Sequence, residues 1–175
     1  MACAGTLRVP AKSARFVKPT HDTMAAMDTI TTQDQPILVV GLELRTSNDE
    51  AVQTIPPHWQ RFGREAVLER IPHKASAEVY AVYTHFEHEG VDNRGRYSLI
   101  IGAAVTGLAE VPAGLVSAVL PAGRRAVFEV ERGRHDLVGD AWRRIWERTE
   151  LDKTYLADYE RYQPDGRMEI FIGVR

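Results

Sequence analysis

An internal duplication constrains the fold of this chain more than any other sequence feature. The stretch EVYAVYTHFEHEG, continued by RYSLIIGAAV, has the same pattern as TYLADYERYQPDG, continued by RMEIFIGVR. Each consists of an alternating strand, a turn containing Gly and Asp, and a second strand, which is the pattern of a β-hairpin. Aligned in this way, Tyr83 corresponds to Tyr159 and Thr84 to Glu160. Two unrelated hairpins would share part of this pattern, so the elements before each hairpin must also be compared.

Those preceding elements correspond as well. The first half, residues 36–108, is predicted to be strand, helix, strand and strand, with the helix beginning at Pro56 and Pro57. The second half, residues 115–175, repeats this order and has one extra strand near its start. We therefore predict an α+β fold of tandem duplicated strand–helix–strand–strand units with an antiparallel sheet. Two such halves leave a ligand cleft where they meet.

The first 35 residues differ from the rest because they show no apolar periodicity. They contain basic residues and no acid before Asp22, which is loosely typical of a transit peptide, and Met24 and Met27 are alternative translation starts. The simpler interpretation is a flexible tail at 1–35 followed by one domain at 36–175. On that interpretation, deletion of residues 1–33 changes the melting temperature little.

Length, charge and cysteine content exclude several classes of protein. The 175 residues are enough for one domain with a core, and the net charge of −2 is too balanced for an electrostatic nucleic-acid binder. No apolar run approaches the ~20 residues of a transmembrane helix. The single cysteine, Cys3, cannot form an intramolecular disulfide. We predict a cytoplasmic protein with no direct nucleic-acid or membrane partner.

The sequence offers weak candidates for a metal or cofactor site. His85 and His88, in HFEHE, are three residues apart, so on a strand they point to opposite faces, and no cysteine or third histidine is near them. The glycines of GAAVTG lack the strand-to-helix context of a phosphate-binding loop. We predict no metal and no cofactor, and we assign no catalytic residue.

The segment ADYERYQ places a carboxylate, Glu160, between Tyr159 and Tyr162 in a strand built to be half buried. A buried carboxylate is costly unless it is hydrogen-bonded, protonated or met by a cation. Two interpretations remain open: Glu160 faces solvent and pairs with Arg161 or Arg167, or it faces a cleft and meets the charge of a ligand. Side chains alternate along a strand, so Glu160 shares its face with Tyr162 and Asp158 and not with Tyr159, whose role as a wall would require a twist or bulge.

The motifs VVGLELRTS, IPPHWQRF, VYAVY, VLPAGRRAVFEVERG, AWRRIW, DYERYQ and MEIFIGVR together resemble the gyrase-inhibitor-like family, also known as the effector-binding domain of bacterial transcription activators. The resemblance covers about residues 36–175. It implies an eight-stranded antiparallel arrangement, one helix from each half, and a cleft that takes bulky, lipophilic, often cationic compounds. This sequence has Gly173 where the family more often has proline, and it lacks the usual Pro and Gly between Trp146 and Tyr155.

The resemblance also implies the residues of the site. The family's acid in the segment matching DYERY corresponds to Glu160, and aromatic side chains would form the walls. The wall candidates are Trp59, Phe62, Tyr80, Tyr83, Trp142, Trp146 and Tyr159. The two helical pairs, at i,i+3 and i,i+4, have a spacing that is also typical of core positions. We therefore expect one aromatic of each helix to line the cleft and the other to pack beneath it.

The function that this resemblance implies is a stand-alone small-molecule-binding protein for bulky lipophilic, cationic compounds. The family's regulators carry an N-terminal helix-turn-helix region, for which the 35 residues before the domain are too few. Two alternatives remain: a hydrolase of reactive cyclopropane-bearing natural products, with Glu160 as general base, and a gyrase-interacting protective protein. A protein partner and the oligomeric state stay open.

Overall fold

The computed structural model describes residues 27–175 as an eight-stranded antiparallel sheet with its helices on one face. The strands are β1 (Met27–Gln33), β2 (Ile37–Ser47), β3 (Val79–Thr84), β4 (Arg96–Val105), β5 (Val116–Leu120), β6 (Gly123–Val130), β7 (Ala157–Tyr162) and β8 (Met168–Val174). The helices are α1 (Ala51–Arg64), the short α2 (Val67–Arg70) and α3 (Val138–Glu147), with a 3₁₀ turn at His135–Leu137. This confirms the α+β class. None of these helices is long and apolar enough to cross a membrane.

The two halves of the duplication meet in the middle of the sheet. The strand order is β1-β6-β8-β7-β3-β4-β2-β5. Counted outward from the centre, the first half supplies β3, β4 and β2, and the second half supplies the equivalent β7, β8 and β6. At the junction β3 pairs with β7, and Ala81 lies opposite Glu160. The predicted tandem units and their pseudo-symmetric pairing are therefore present in the sheet.

The sheet begins before the predicted domain start at Pro36. β1 pairs with β6, with Ile30 opposite Ala126, and the Gln33 side chain donates hydrogen bonds to the carbonyls of Leu120 and Pro121. The predicted tail boundary is corrected to this extent, while residues 1–26 lie outside the described residues. The sequence did not reveal β1 because its segment MDTITTQ has no apolar alternation. The side chains of residues 29–32 are exposed in this edge strand, and its β-branched residues favour extended backbone.

Deletion of residues 1–33 should therefore destabilise the protein, in contrast to the expectation from sequence. Relative to a chain that starts at Met27, the deletion removes the strand pairing with β6 and the contacts of Gln33. We expect the free energy of unfolding to fall by roughly 2 kcal/mol, since each lost hydrogen bond contributes about 1 kcal/mol and ordering the strand costs part of that. Denaturant melts of the two chains measure this difference. Equal midpoints would mean that β1 adds nothing to stability.

Two short connections require the sheet to curl. β1 is joined to β2 by residues 34–36, and β5 to β6 by residues 121–122, although each pair stands six positions apart in the sheet. Six strand spacings span about 29 Å in a flat sheet, whereas the connections reach only about 10–14 Å. The outer strands must therefore bend toward each other.

Gly41 and Gly102 face each other across β2 and β4, where a Cβ on Gly102 would lie 1.9 Å from the carbonyl oxygen of Val40.

Each face of the sheet has its own core. On the helix side, Leu99 and Phe128 pack with Phe62 of α1 and with Trp142 and Ile145 of α3. The opposite face buries a smaller cluster within the curl of the sheet. That cluster consists of Val39, Tyr80, Val82, Ile100, Ala104, Ala118, Leu120, Val127, Ala157, Tyr159 and Phe171. A side chain's face therefore decides whether it can reach the groove between the helices.

Helix α1 begins earlier than predicted. It starts at Ala51, and Pro56 and Pro57 lie inside it rather than in its first turn. The first turn is closed instead by Gln53 and Thr54, whose backbone N–H groups donate to the carbonyl of Glu50. The prolines lack an N–H, so they drop two hydrogen bonds just after this turn without ending the helix. Residues 51–55, which precede the prolines, are therefore part of the helix.

The alignment of the two hairpins is wrong by one residue. Tyr83 lies on the helix side of the sheet, whereas Tyr159 lies in the opposite cluster. Because side chains alternate, a one-residue error exchanges the two faces. Shifting the alignment by one residue makes Tyr83 correspond to Glu160. The two halves therefore contribute a hydroxyl and a carboxylate to the helix side of the sheet.

Candidate functional site

Glu160 accepts hydrogen bonds from Trp142 of α3 and from Tyr162, which packs against Trp59 of α1, and we refer to this region between the two helices as the groove. Glu160 belongs to β7, its side chain is directed to the helix face of the sheet, and only 3% of the residue is exposed. Its neighbour across the junction is Ala81, whose small side chain leaves space above β3. The strand pattern thus carries a carboxylate to the line where the two halves of the molecule join.

Three uncharged groups donate hydrogen bonds to this carboxylate. The Tyr83 hydroxyl donates to Oε1 at 2.8 Å, and the Trp142 indole Nε1–H donates to the same oxygen. The Tyr162 hydroxyl donates to Oε2 at 2.6 Å. The donors come from β3, α3 and β7, so both halves of the duplication and one helix hold the acid in place.

Neither arginine that could have paired with Glu160 reaches it. Arg161 points to the other face and forms an ion pair with Glu169 at 2.7 Å, and Arg167 pairs with Asp165 at 2.8 Å. Among residues 27–175 no basic side chain neutralises Glu160. The interpretation in which Glu160 faces solvent is therefore wrong, and the carboxylate is held only by neutral donors.

The surroundings of Glu160 act on its protonation in opposite directions. Burial raises the pKa of Glu160 above its ordinary value, and the hydrogen bonds from Tyr162, Trp142 and Tyr83 lower it in part. Burial, followed by the charge of Glu160, raises the pKa of the Tyr83 and Tyr162 hydroxyls well above the usual range. Both tyrosines therefore remain protonated and continue to donate.

Aromatic rings surround the acid on the side of α1. Trp59 lies edge-on to Tyr162 at 5.2 Å between ring centroids and to Phe62 at 5.8 Å. Phe62 is buried in the helix-side core, whereas Trp59 is only partly buried. His135 stacks on Tyr162 with an interplanar angle of 13°. Trp59 is thus the more exposed of these two aromatics of α1, and Phe62 packs in the core beneath it.

A second aromatic group lies toward the other end of the groove. Trp142 contacts Tyr83 at 4.6 Å and Trp146 at 5.8 Å, and Tyr83 contacts Tyr97 at 5.8 Å. These rings border a small cavity with about 10 Å³ of free space, close to what one water molecule needs. The other residues that line it are Asn48, Phe86, Asn93, Lys153, Tyr155, Asp158 and Ile172. This end of the groove is therefore nearly closed, and Glu160 itself does not line the cavity.

Two of the predicted wall residues lie on the wrong face. Tyr80 and Tyr159 contact each other at 5.8 Å in the opposite cluster, where Tyr159 stacks on Phe171 at 4.5 Å. Alternation along β3 and β7 separates them from Glu160, and the structure has no bulge there that would reverse it. Their role as cleft walls is corrected for this reason.

Three residues near the acid were missing from the sequence-based set. Tyr162 follows Glu160 by two residues, so alternation alone was a sufficient signal for it. Tyr97, near the start of β4, and Asp158, on β7, both line the cavity. The approach of β4 to this end of the groove depends on the sheet register, so no local pattern marked Tyr97. Within the described part of the chain, no group of three His, Cys, Asp or Glu side chains could hold a metal ion.

Comparison with known protein families identifies the group to which the molecule is related. Residues 29–174 match the family Cass2, described as integron-associated effector binding protein. The chain belongs to this family. The Cass2 match spans β1 as well as the two repeats, and it confirms the effector-binding resemblance seen in the sequence. None of the curated proteins matches the sequence.

Solved structures share the Cass2 fold. The integron cassette protein VCH_CASS2 from the mobile metagenome of Vibrio cholerae is 23% identical, with a TM-score of 0.69 over 84% of this chain and 95% of that chain. SAV2435, solved bound to tetraphenylphosphonium, is 17% identical, with a TM-score of 0.68 over 84% and 93%. A Staphylococcus aureus MU50 protein described as a bacterial transcription regulation protein is 18% identical, with a TM-score of 0.65 over 84% and 97%. The chain therefore shares the fold of these three proteins.

Proposed function

We propose that this protein binds a bulky lipophilic cation in the groove between α1 and α3, with Glu160 as the counter-charge. The observation that carries the proposal is a buried carboxylate held by three neutral donors with no basic partner. A weakly hydrated organic cation loses little on leaving water, so a buried carboxylate attracts it strongly. Tetraphenylphosphonium, which SAV2435 binds, is a ligand of this chemical type.

The aromatic rings around Glu160 favour the same ligand class. The face of a Trp or Tyr ring attracts a cation by roughly 0.5–2 kcal/mol. Trp59 and Trp142 come from different helices and lie on either side of the acid's tyrosine donors. A bulky ligand could therefore meet aromatic surface on both sides of its charge.

Binding must be accompanied by opening of the groove, because the cavity of about 10 Å³ cannot hold such a ligand. Trp142 is the side chain whose displacement would expose Oε1 of Glu160. It is carried by α3, a helix of ten residues whose outer aromatic, Trp146, is 36% exposed. A cation that replaces the indole N–H as partner of Glu160 compensates for the lost hydrogen bond.

The proposal predicts a preference for charge at equal size. Methyltriphenylphosphonium should bind at least about tenfold more tightly than triphenylphosphine oxide, a neutral compound of similar shape, since only the cation gains from the carboxylate. Isothermal titration of both compounds at neutral pH measures the difference. Equal affinities would contradict a cation site. Recovery of an unchanged cyclopropane-bearing ligand after prolonged incubation would separate binding from the hydrolase alternative.

A further inference from the structure

The cavity beside Trp142 contains a second buried acid. Asp158 lies two residues before Glu160 on β7, is 6% exposed and lines the cavity. Its Oδ1 accepts a hydrogen bond from the backbone N–H of Gly173 at 2.8 Å. Its Oδ2 accepts no hydrogen bond from residues 27–175. One oxygen of the carboxylate is thus fixed by the sheet and the other is left to face the cavity.

Gly173 is the reason that Asp158 can be held in this way. Proline, which the gyrase-inhibitor-like family more often has at this position, has no N–H to donate. A larger residue is also excluded, because a Cβ on Gly173 would lie 2.3 Å from Oγ1 of Thr154. The departure from the family pattern and the orientation of the second acid are therefore linked in this chain.

The cavity holds a further polar group without a protein partner. The Tyr97 residue is 2% exposed and lines the cavity, and its hydroxyl forms no hydrogen bond with the part of the chain that the structure describes. The Tyr97 hydroxyl and Oδ2 of Asp158 thus both belong to residues that line the cavity, and neither is hydrogen-bonded by residues 27–175, so both are available to an added molecule. That molecule must donate a hydrogen bond to Asp158.

The charge of Lys153 limits what this donor can be. The charges of Arg125 and, more weakly, Lys153 act on Asp158; of the two, Lys153 lines the same cavity, and its ammonium donates to the carbonyl of Arg148. A second positive charge on a ligand would be repelled by this ammonium. A neutral N–H or O–H group would gain the hydrogen bond without that repulsion.

We propose that Asp158 is a specificity-determining residue that accepts a hydrogen bond from an uncharged N–H or O–H group at the far end of the ligand. The inference rests on the proposed function, with the ligand's charge at Glu160. Two residues on one strand are about 6.7 Å apart, so the donor would lie roughly that distance from the positive charge. The ligand class is then an aromatic monocation with an amino or hydroxyl substituent, in preference to one that is fully alkylated.

Proflavine and acridine orange test this distinction. Both are planar acridinium monocations, but proflavine has two primary amino groups, whereas acridine orange has dimethylamino groups that cannot donate. We expect the wild-type protein to bind proflavine more tightly, although acridine orange is the more lipophilic dye. In Asp158→Asn, the side-chain oxygen still accepts the hydrogen bond from the Gly173 N–H, so the amide nitrogen takes the place of Oδ2 and faces the cavity. That nitrogen can only donate, whereas the amino group of proflavine needs an acceptor. The ratio of the two affinities should fall about tenfold.

Glu160→Gln is the matched comparison, because it should weaken both dyes to a similar extent and preserve their ratio. If acridine orange binds more tightly to the wild type, or if Asp158→Asn leaves the ratio unchanged, the donor site is refuted and Asp158 and Tyr97 serve only a water. If Asp158→Asn does not fold, the wild-type order of affinities decides. If neither dye binds, or if Glu160→Gln weakens neither, the proposed function itself fails.

Discussion

Replacement of Glu160 by glutamine should weaken binding of methyltriphenylphosphonium about ten- to a hundredfold. The loss corresponds to roughly 1.5–3 kcal/mol, the usual contribution of a contact to a charged partner. Glutamine keeps the shape of the side chain, and its amide oxygen can still accept from Tyr83 and Trp142. The change thus removes the charge while the groove stays intact. Fluorescence-detected competition or calorimetry measures the affinity.

The same variant should fold at least as stably as the wild type. A buried carboxylate without a cation destabilises the empty protein, and the neutral amide removes that cost. Thermal melts at neutral pH should therefore show an equal or higher midpoint for Glu160→Gln. A large fall in the midpoint would mean that the lost affinity reflects damage to the fold.

Glu169→Gln is the control for Glu160→Gln. Glu169 lies on β8 in the same hairpin, but it pairs with Arg161 and Gln163 on the opposite side from Glu160. We expect its replacement to leave phosphonium affinity unchanged. If Glu169→Gln abolishes binding and Glu160→Gln does not, the ligand binds on the other face of the sheet.

The affinity for a permanently charged phosphonium should also decrease as the pH falls. Burial raises the pKa of Glu160 in the empty protein, so protons compete with the ligand at a higher pH than they would for an ordinary glutamate, whose pKa is about 4.3. Below the pKa of the empty site, the affinity falls by up to about tenfold per pH unit. Titrations between pH 8 and pH 5 measure this slope.

Glu160→Gln separates this effect from other titrations. The phosphonium does not titrate, and the tyrosine donors remain protonated because their pKa values are raised well above the usual range. Burial raises the pKa of Asp158 to about 6, so a weaker pH dependence should remain in the variant. An identical slope in the wild type and the variant would assign the whole effect to a group other than Glu160.

Local periodicity was sufficient to predict much of this molecule. Strands alternate every two residues and helices every 3.6, so the order of elements and the duplication could be derived without the structure. The same alternation placed Glu160 and Tyr162 on one face of β7. The resemblance then pointed to Glu160 as the acid of the cleft, and the structure brings Tyr83 and Trp142 to it.

Features that depend on register or on distant partners could not be derived in this way. β1 is held by pairing with β6, whose residues lie 90 to 101 positions further along the chain, and residues 29–32 are exposed, so no apolar pattern marked it. Tyr80 and Tyr159 became wall candidates through the resemblance alone, although alternation along the strand already separated Tyr159 from Glu160. The contact between Asp158 and the N–H of Gly173 joins two strands across a hairpin.

The sequence by itself determined which elements form and which acid stands at their junction, because those signals are local. Only the tertiary structure decided which side chains share the groove, because that depends on how the strands are paired.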